Sequence, residues 1–267
     1  MTDLPQPLAV RTLGEGNRKI LALHCTIGHS GAWRPLSACL LDCVFTAPDM
    51  LSHGKSPDWD RQGDFQDRMT EAVLPYLTER MDVIGHSFGD TVALRLAVEH
   101  PDLVRSLTVV EPVLFAVAEH DAPEVLEDQN RASKPVFDAF EQGDEVLAAR
   151  LFNRMWGDND GPRWDEMPDK TRNAMIRGIH IVQASNGAVK DRVGLLKPDR
   201  IERANMPALV LRGALSPTIA TVVNDGLAKR LPNAENVEVA GAGHMVPLSH
   251  PQETAAQLRR LFDRASV

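Results

Sequence analysis

Short apolar, β-branched runs at residues 19–24, 43–47, 82–85, 107–110, 208–211 and 237–239 alternate with stretches of helical period. That alternation constrains the fold more than any other feature of the chain. Runs apolar on both faces belong in a parallel sheet with helices packed on either side, because each parallel connection must cross over the sheet. A further run at 8–13 is expected to pair antiparallel at the edge. Helices are expected over 64–79, 87–99, 219–231 and 252–262, with Pro101, Pro232 and Pro251 at their boundaries.

Between residues 115 and 205 the alternation stops, and the chain becomes polar and helix-favouring without a strand-like run. Structureless loops beyond about 15 residues are uncommon. An inserted helical subdomain over 115–205 is therefore expected, carried by a core made of 1–114 and 206–267. Its larger apolar side chains, Phe137, Phe140, Phe152, Met155, Trp156, Trp164 and Met175, are available to line a pocket or to pack within the insert, and packing is the first expectation for any one of them.

Composition removes several function classes. A net charge of -8 lacks the clustered Lys and Arg that a phosphate backbone or an anionic bilayer attracts, so neither nucleic acid nor membrane is an expected partner. No segment approaches the roughly 20 apolar residues of a membrane span, and residues 1–10 do not read as a signal peptide. Cys25, Cys39 and Cys43 form neither a CxxC pair nor a zinc cluster. They read as buried small hydrophobes in a reduced, cytoplasmic compartment. No cofactor-binding or metal-binding residues are expected.

The strongest local signal is Gly85-His86-Ser87-Phe88-Gly89, which ends one apolar run and opens a helical stretch. A serine in a GxSxG turn between strand and helix is lifted above the sheet edge, and the helix amino terminus brings a backbone N–H and a positive dipole to it. The bland reading, a serine that caps its helix, lacks the two glycines' purpose. A serine hydroxyl is a poor nucleophile at neutral pH and needs a base, for which histidine has a suitable pKa. His244, in Gly241-Ala242-Gly243-His244 between the last strand and the last helix, hangs over the same sheet edge. His86 is assigned to shaping the elbow; His100 and His250 to helix boundaries; His120 and His180 to the insert.

An oxyanion needs N–H donors, and the turn His24-Cys25-Thr26-Ile27-Gly28 after the first central strand lies at the right topological place. The backbone amides of Thr26 and Phe88 are the expected pair.

Together, His24-Cys25, the segment Ala47-Pro48-Asp49-Met50-Leu51-Ser52-His53-Gly54-Lys55-Ser56, Gly85 to Gly89 and Gly241 to His244 resemble the α/β-hydrolase superfamily. The resemblance spans nearly the whole chain. It implies a mostly parallel eight-stranded sheet flanked by helices, a variable helical cap in place of the insert, and Ser-His-acid chemistry. Two departures stand out. The family's His-Gly pair is His24-Cys25 here, and a side chain at Cys25 narrows the oxyanion turn. The turn Arg212-Gly213-Ala214-Leu215-Ser216-Pro217, where the family usually places its acid, holds no carboxylate, and Ser216 stands about where an Asp is expected.

A replacement acid must come from another strand end. Glu111, closing the run 107–110, has the right topology, and some members of the superfamily carry their acid there. An apolar strand ending in Glu-Pro also wants a reason, since a buried carboxylate is costly without partners. Asp90, Asp225 and the absence of any acid remain alternatives. The expected function is therefore a serine hydrolase acting on an ester, thioester or lactone of a small molecule. A non-hydrolytic ligand-binding protein and a cofactor-free oxidative enzyme on the same fold remain the competing readings. Aspartate-nucleophile chemistry is set aside because the elbow holds Ser87. Arg34, Arg154 and Arg177 are available to anchor an acidic substrate and read first as solvated surface charges.

Overall fold

The structure, a computed structural model, describes residues 7–157 and 161–265. Seven strands form one sheet: β1 (Val10–Leu13), β2 (Arg18–Leu23), β3 (Cys43–Pro48), β4 (Met81–His86), β5 (Val104–Val110), β6 (Ala208–Gly213) and β7 (Ala234–Val239). Their order across the sheet is β1-β3-β2-β4-β5-β6-β7, with β1 antiparallel to β3 and every other pair parallel. The expectation of eight strands is corrected to seven among the described residues. The sequence offers seven runs, and the eighth came only from the family resemblance.

Each central strand is apolar on both faces because both are covered. In β2, Leu21 and Leu23 face a core shared with helices Phe65–Val73, Phe88–Glu99 and Thr218–Arg230. Ile20 and Ala22 point the other way, onto helices Arg34–Ala38 and Pro251–Arg264. In β6 the same alternation sends Ala208 and Val210 to one core and Leu209 and Leu211 to the other. The acid that opens the β4 run, Asp82, is buried with its charge met by Arg18 and Arg105 and by the Ser106 hydroxyl at 2.6 Å.

Among the described residues no strand interrupts 115–205, and helices Ala116–Asp121, Pro123–Glu141, Glu145–Trp156 and Asp169–Gly178 account for most of it. Val136, Ala139, Ala148, Ala149 and Ile179 make a small apolar cluster of their own there, while Ile181, Leu195 and Ile201 join the large core beneath the sheet. No described helix is long and apolar enough to cross a membrane. The leader reading of residues 1–10 falls mostly outside the described residues.

Candidate active site

At the end of β4 the chain turns through Ser87 with φ 54° and ψ -121°, a left-handed conformation that a residue with a Cβ rarely adopts, and enters helix Phe88–Glu99. Both flanking glycines are required sterically. A Cβ on Gly85 would lie 2.4 Å from the Gly89 carbonyl oxygen, and one on Gly89 would lie 2.2 Å from that of Leu23. The elbow is pinned by the Ser87 N–H, which donates to the Val110 carbonyl at 2.9 Å. Ser87, Phe88 and Thr26 form one end of a cavity of about 560 Å³.

His244 and Glu111 meet in the buried interior, with Nδ1 3.0 Å from Oε2. The carboxylate accepts more than the imidazole: its Oε1 receives the Gly213 N–H and the Ser216 hydroxyl, each at 2.6 Å. Three donors on one buried carboxylate replace the water it loses. The serine at the position where the acid was missing thus supports the acid on the neighbouring strand. Glu111 is itself held at φ 54°, and its N–H donates to the Leu211 carbonyl at 2.8 Å. The close β6–His244 approach depends on Gly213, where a Cβ would lie 2.3 Å from the Ala242 carbonyl oxygen.

Neither alternative acid reaches His244 in this way. Asp225 accepts from the Asn236 amide at 2.6 Å. Asp90, buried under the elbow, accepts the Val113 N–H at 3.2 Å, and its Oδ1 has no hydrogen-bond partner among the described residues. Burial pushes its carboxyl well above the usual range, and the nearby Glu111 charge adds to the effect.

Three further histidines hold the site as neutral rings. His86 Nε2 lies 2.8 Å from the His244 carbonyl and donates to it, fixing the loop that carries His244. Burial lowers its pKa to about 3, with the neighbouring His244 contributing, so no second charge develops beside the pair. His53 Nε2 accepts the Ile27 N–H at 2.9 Å and His24 Nε2 accepts that of Met50 at 2.9 Å. Each ring therefore carries its proton on Nδ1, directed to the carbonyls of Leu51 and Cys25. Burial lowers His24 to about 4 and His53 to about 3.

These two rings brace the turn at 24–28, which closes with Gly28 N–H to the Cys25 carbonyl at 3.1 Å and places Ile27 at φ 56°. Cys25 is buried and does not line the cavity, so its side chain leaves the Thr26 end open. The loop that supplies His53 is anchored in turn by Arg177, which donates to Asp58 and to the carbonyls of Gly54 and Ser56.

The structure therefore brings Ser87, Thr26 and Phe88 to one cavity end, and joins His244 to Glu111. Trp156, on the cavity wall, connects the two groups: its ring lies 4.7 Å from that of His244, centroid to centroid. Phe137, Phe152 and Met155 also reach the cavity, whereas Phe140 and Trp164 pack against the small cluster at Val136. Arg34, Arg154 and Arg177 do not line it. The supporting roles of His24 and His53 were not readable from the sequence, where the only signal was histidines beside backbone turns; His86 was expected to shape the elbow, and the structure adds its bond to the His244 carbonyl. No group of three or more His, Cys, Asp or Glu among the described residues is placed to hold a metal, and all three cysteines are free thiols.

Comparison with known proteins gives the same architecture. Lipase LipV of Mycobacterium tuberculosis is 30% identical over 260 residues, covering 91% of this chain and 93% of its own. The 2-(acetamidomethylene)succinate hydrolase of Mesorhizobium japonicum is 25% identical, covering 96% and 91%. A solved structure described as an N-acyl homoserine lactone degrading enzyme superposes with a TM-score of 0.70 at 21% identity, covering 95% of this chain and 96% of that one. A family model matches residues 20–257, the stretch that contains the elbow, Glu111 and His244, and with it the chain belongs to the alpha/beta hydrolase family.

Proposed function

We infer that the protein is a serine hydrolase that cleaves a carboxylic ester, thioester or lactone of a small molecule through an acyl-enzyme on Ser87. The observation that carries this reading is the His244 Nδ1 to Glu111 Oε2 contact at 3.0 Å, together with a serine held in the elbow conformation on the cavity wall. With its proton on Nδ1, His244 has Nε2 left as a base. It takes the Ser87 proton as Oγ attacks the substrate carbonyl, and Glu111 stabilises the imidazolium that forms. The tetrahedral oxyanion is received by the Thr26 and Phe88 amides. Collapse breaks the bond to the leaving group, which departs with the proton from His244. Water, deprotonated by the same ring, then releases the acid and restores Ser87.

In this reading the helices of 115–205 act as a cap that closes the cavity over the serine. The feature that favours a non-catalytic binder is the missing acid in the turn at Ser216, and a carboxylate 3.0 Å from His244 Nδ1 speaks against it. The test is labelling with a fluorophosphonate probe, mapped by mass spectrometry, together with p-nitrophenyl acetate turnover. Labelling is expected at Ser87 and nowhere in Ser87→Ala, with turnover lost in parallel. An unlabelled native protein, or turnover that survives Ser87→Ala, overturns the assignment.

A further inference from the structure

The cavity is walled chiefly by apolar side chains such as Val113, Phe115, Val136, Phe152 and Trp156. Its two carboxylate or ammonium side chains, Glu119 and Lys190, are both exposed at the rim. Away from the serine end, the polar groups buried or half-buried in the wall are Ser133, Ser185 and Gln129. The two serines have used their protons: Ser133 Oγ donates to the Gln129 carbonyl at 2.9 Å and Ser185 Oγ to that of Ile181 at 2.6 Å.

Gln129 differs. It is 8% exposed, and the only hydrogen-bond partner of its side chain among the described residues is the Met155 thioether, 3.8 Å from Nε2. A primary amide offers two N–H donors and a carbonyl acceptor, and a thioether is a weak acceptor for one of them. Gln129 Oε1 is not among the fully enclosed polar atoms left without a partner, so the amide opens onto the cavity, and a molecule that displaces water from it loses affinity unless it replaces those hydrogen bonds. The amide therefore makes sense where a bound molecule completes its hydrogen bonds. Gln129 and its partner Met155 sit on helices Pro123–Glu141 and Glu145–Trp156, which supply wall of the same cavity that Ser87 lines, so Gln129 faces a bound molecule from the helical wall and not from the elbow.

We propose that Gln129 is a specificity-determining residue that hydrogen-bonds a neutral oxygen function, such as a ketone, amide carbonyl, ether or hydroxyl, carried by the substrate beyond its scissile ester. This rests on the serine-hydrolase reading and names its substrate class. A carboxylate at that depth is disfavoured, because no buried cation lines the wall to receive it. The preferred substrates are thus neutral oxygenated esters or lactones, in preference to plain alkyl esters and to chains ending in a carboxylate.

The test compares p-nitrophenyl hexanoate with chains of equal length in which one methylene is replaced by an ether oxygen or a carbonyl at successive positions, and with mono-p-nitrophenyl adipate. Native protein, Gln129→Leu and Gln129→Met are measured, with thermal unfolding as a check on folding. The oxygenated-to-alkyl ratio of kcat/KM is expected to fall about ten-fold in both variants for at least one oxygen position, chiefly through KM, and the adipate to be the poorest native substrate. A ratio unchanged at every position, or an adipate that outperforms the neutral chains, overturns the proposal. Binding of the same esters to Ser87→Ala, read by tryptophan fluorescence, separates the two claims. A native protein that turns over none of the esters defeats the hydrolase reading, whereas equal affinity of Ser87→Ala for alkyl and oxygenated chains defeats the role of Gln129.

Discussion

The carboxyl edge of the sheet and the helical wall facing it enclose one cavity but are built on opposite terms. At the edge, the groups that support chemistry are committed to partners: Glu111 to three donors, His86 to the His244 carbonyl, His53 and His24 to backbone amides. Across the cavity, contacts are apolar, and the one buried amide has only a thioether. Directional bonds at the edge tolerate little displacement, while dispersion contacts on the wall tolerate exchange of one apolar side chain for another. On the serine-hydrolase reading, the edge sets the reaction and the wall selects the molecules that undergo it.

That contrast is broken if substitutions on the two sides cost alike. The largest effect belongs to His244→Ala, expected to lower kcat/KM for p-nitrophenyl acetate by about ten-thousand-fold, with fluorophosphonate labelling of Ser87 slowed in step. Gly89→Ala comes next, because its Cβ would meet the Leu23 and His24 carbonyl oxygens at 2.2 and 2.7 Å. A loss of about 3 kcal/mol or more in chemical denaturation is expected, and native-like stability would show that the elbow relaxes freely.

The neutral histidines make the edge acid-sensitive. His24, His53 and His86 stay unprotonated in the fold down to about 4, 3 and 3, whereas the ordinary value is 6.5. Unfolding therefore takes up protons below pH 6.5, and stability falls as pH drops from there towards 4, by about 1.4 kcal/mol per pH unit for each ring. Denaturation midpoints measured between pH 7 and 4 test this, and His53→Gln should reduce the slope by one ring's share. Ser216→Ala removes one of three donors to Glu111 and is expected to lower kcat about ten-fold with KM little changed. Smallest is Phe137→Leu on the wall, at less than about three-fold in kcat/KM. A Phe137→Leu loss equal to that of Ser216→Ala would erase the distinction between the two sides.

The edge was also the more legible side. Strands covered on both faces leave continuous apolar runs, so β2, β3, β4 and β6 were located to within a residue or two. The start of β7 at Ala234 was missed because Asn236 and Glu238 face solvent and break the run. Ser87 stood out because Gly85 and Gly89 have a steric necessity, and Glu111 because a carboxylate ending an apolar strand demands partners. The braces His24 and His53 were hidden, since their tautomers are set by amides 26 residues away, and for His86, expected to shape the elbow, the partner carbonyl on the His244 loop was hidden too. The wall was hidden for a different reason. Helical period identifies an apolar face without saying whether a helix or a cavity lies against it, which is why Phe137 and Phe140, three residues apart, could not be assigned to different surroundings.

The central claim is that the acid has moved from the turn at Ser216 to Glu111. Its most direct test is kcat for Glu111→Gln, which keeps the size of the side chain and an acceptor for Gly213 and Ser216 but removes the charge. Turnover is expected to fall by about a thousand- to ten-thousand-fold in a protein with a native circular dichroism spectrum. Turnover close to that of the native protein would show that His244 works without Glu111, and would contradict the account.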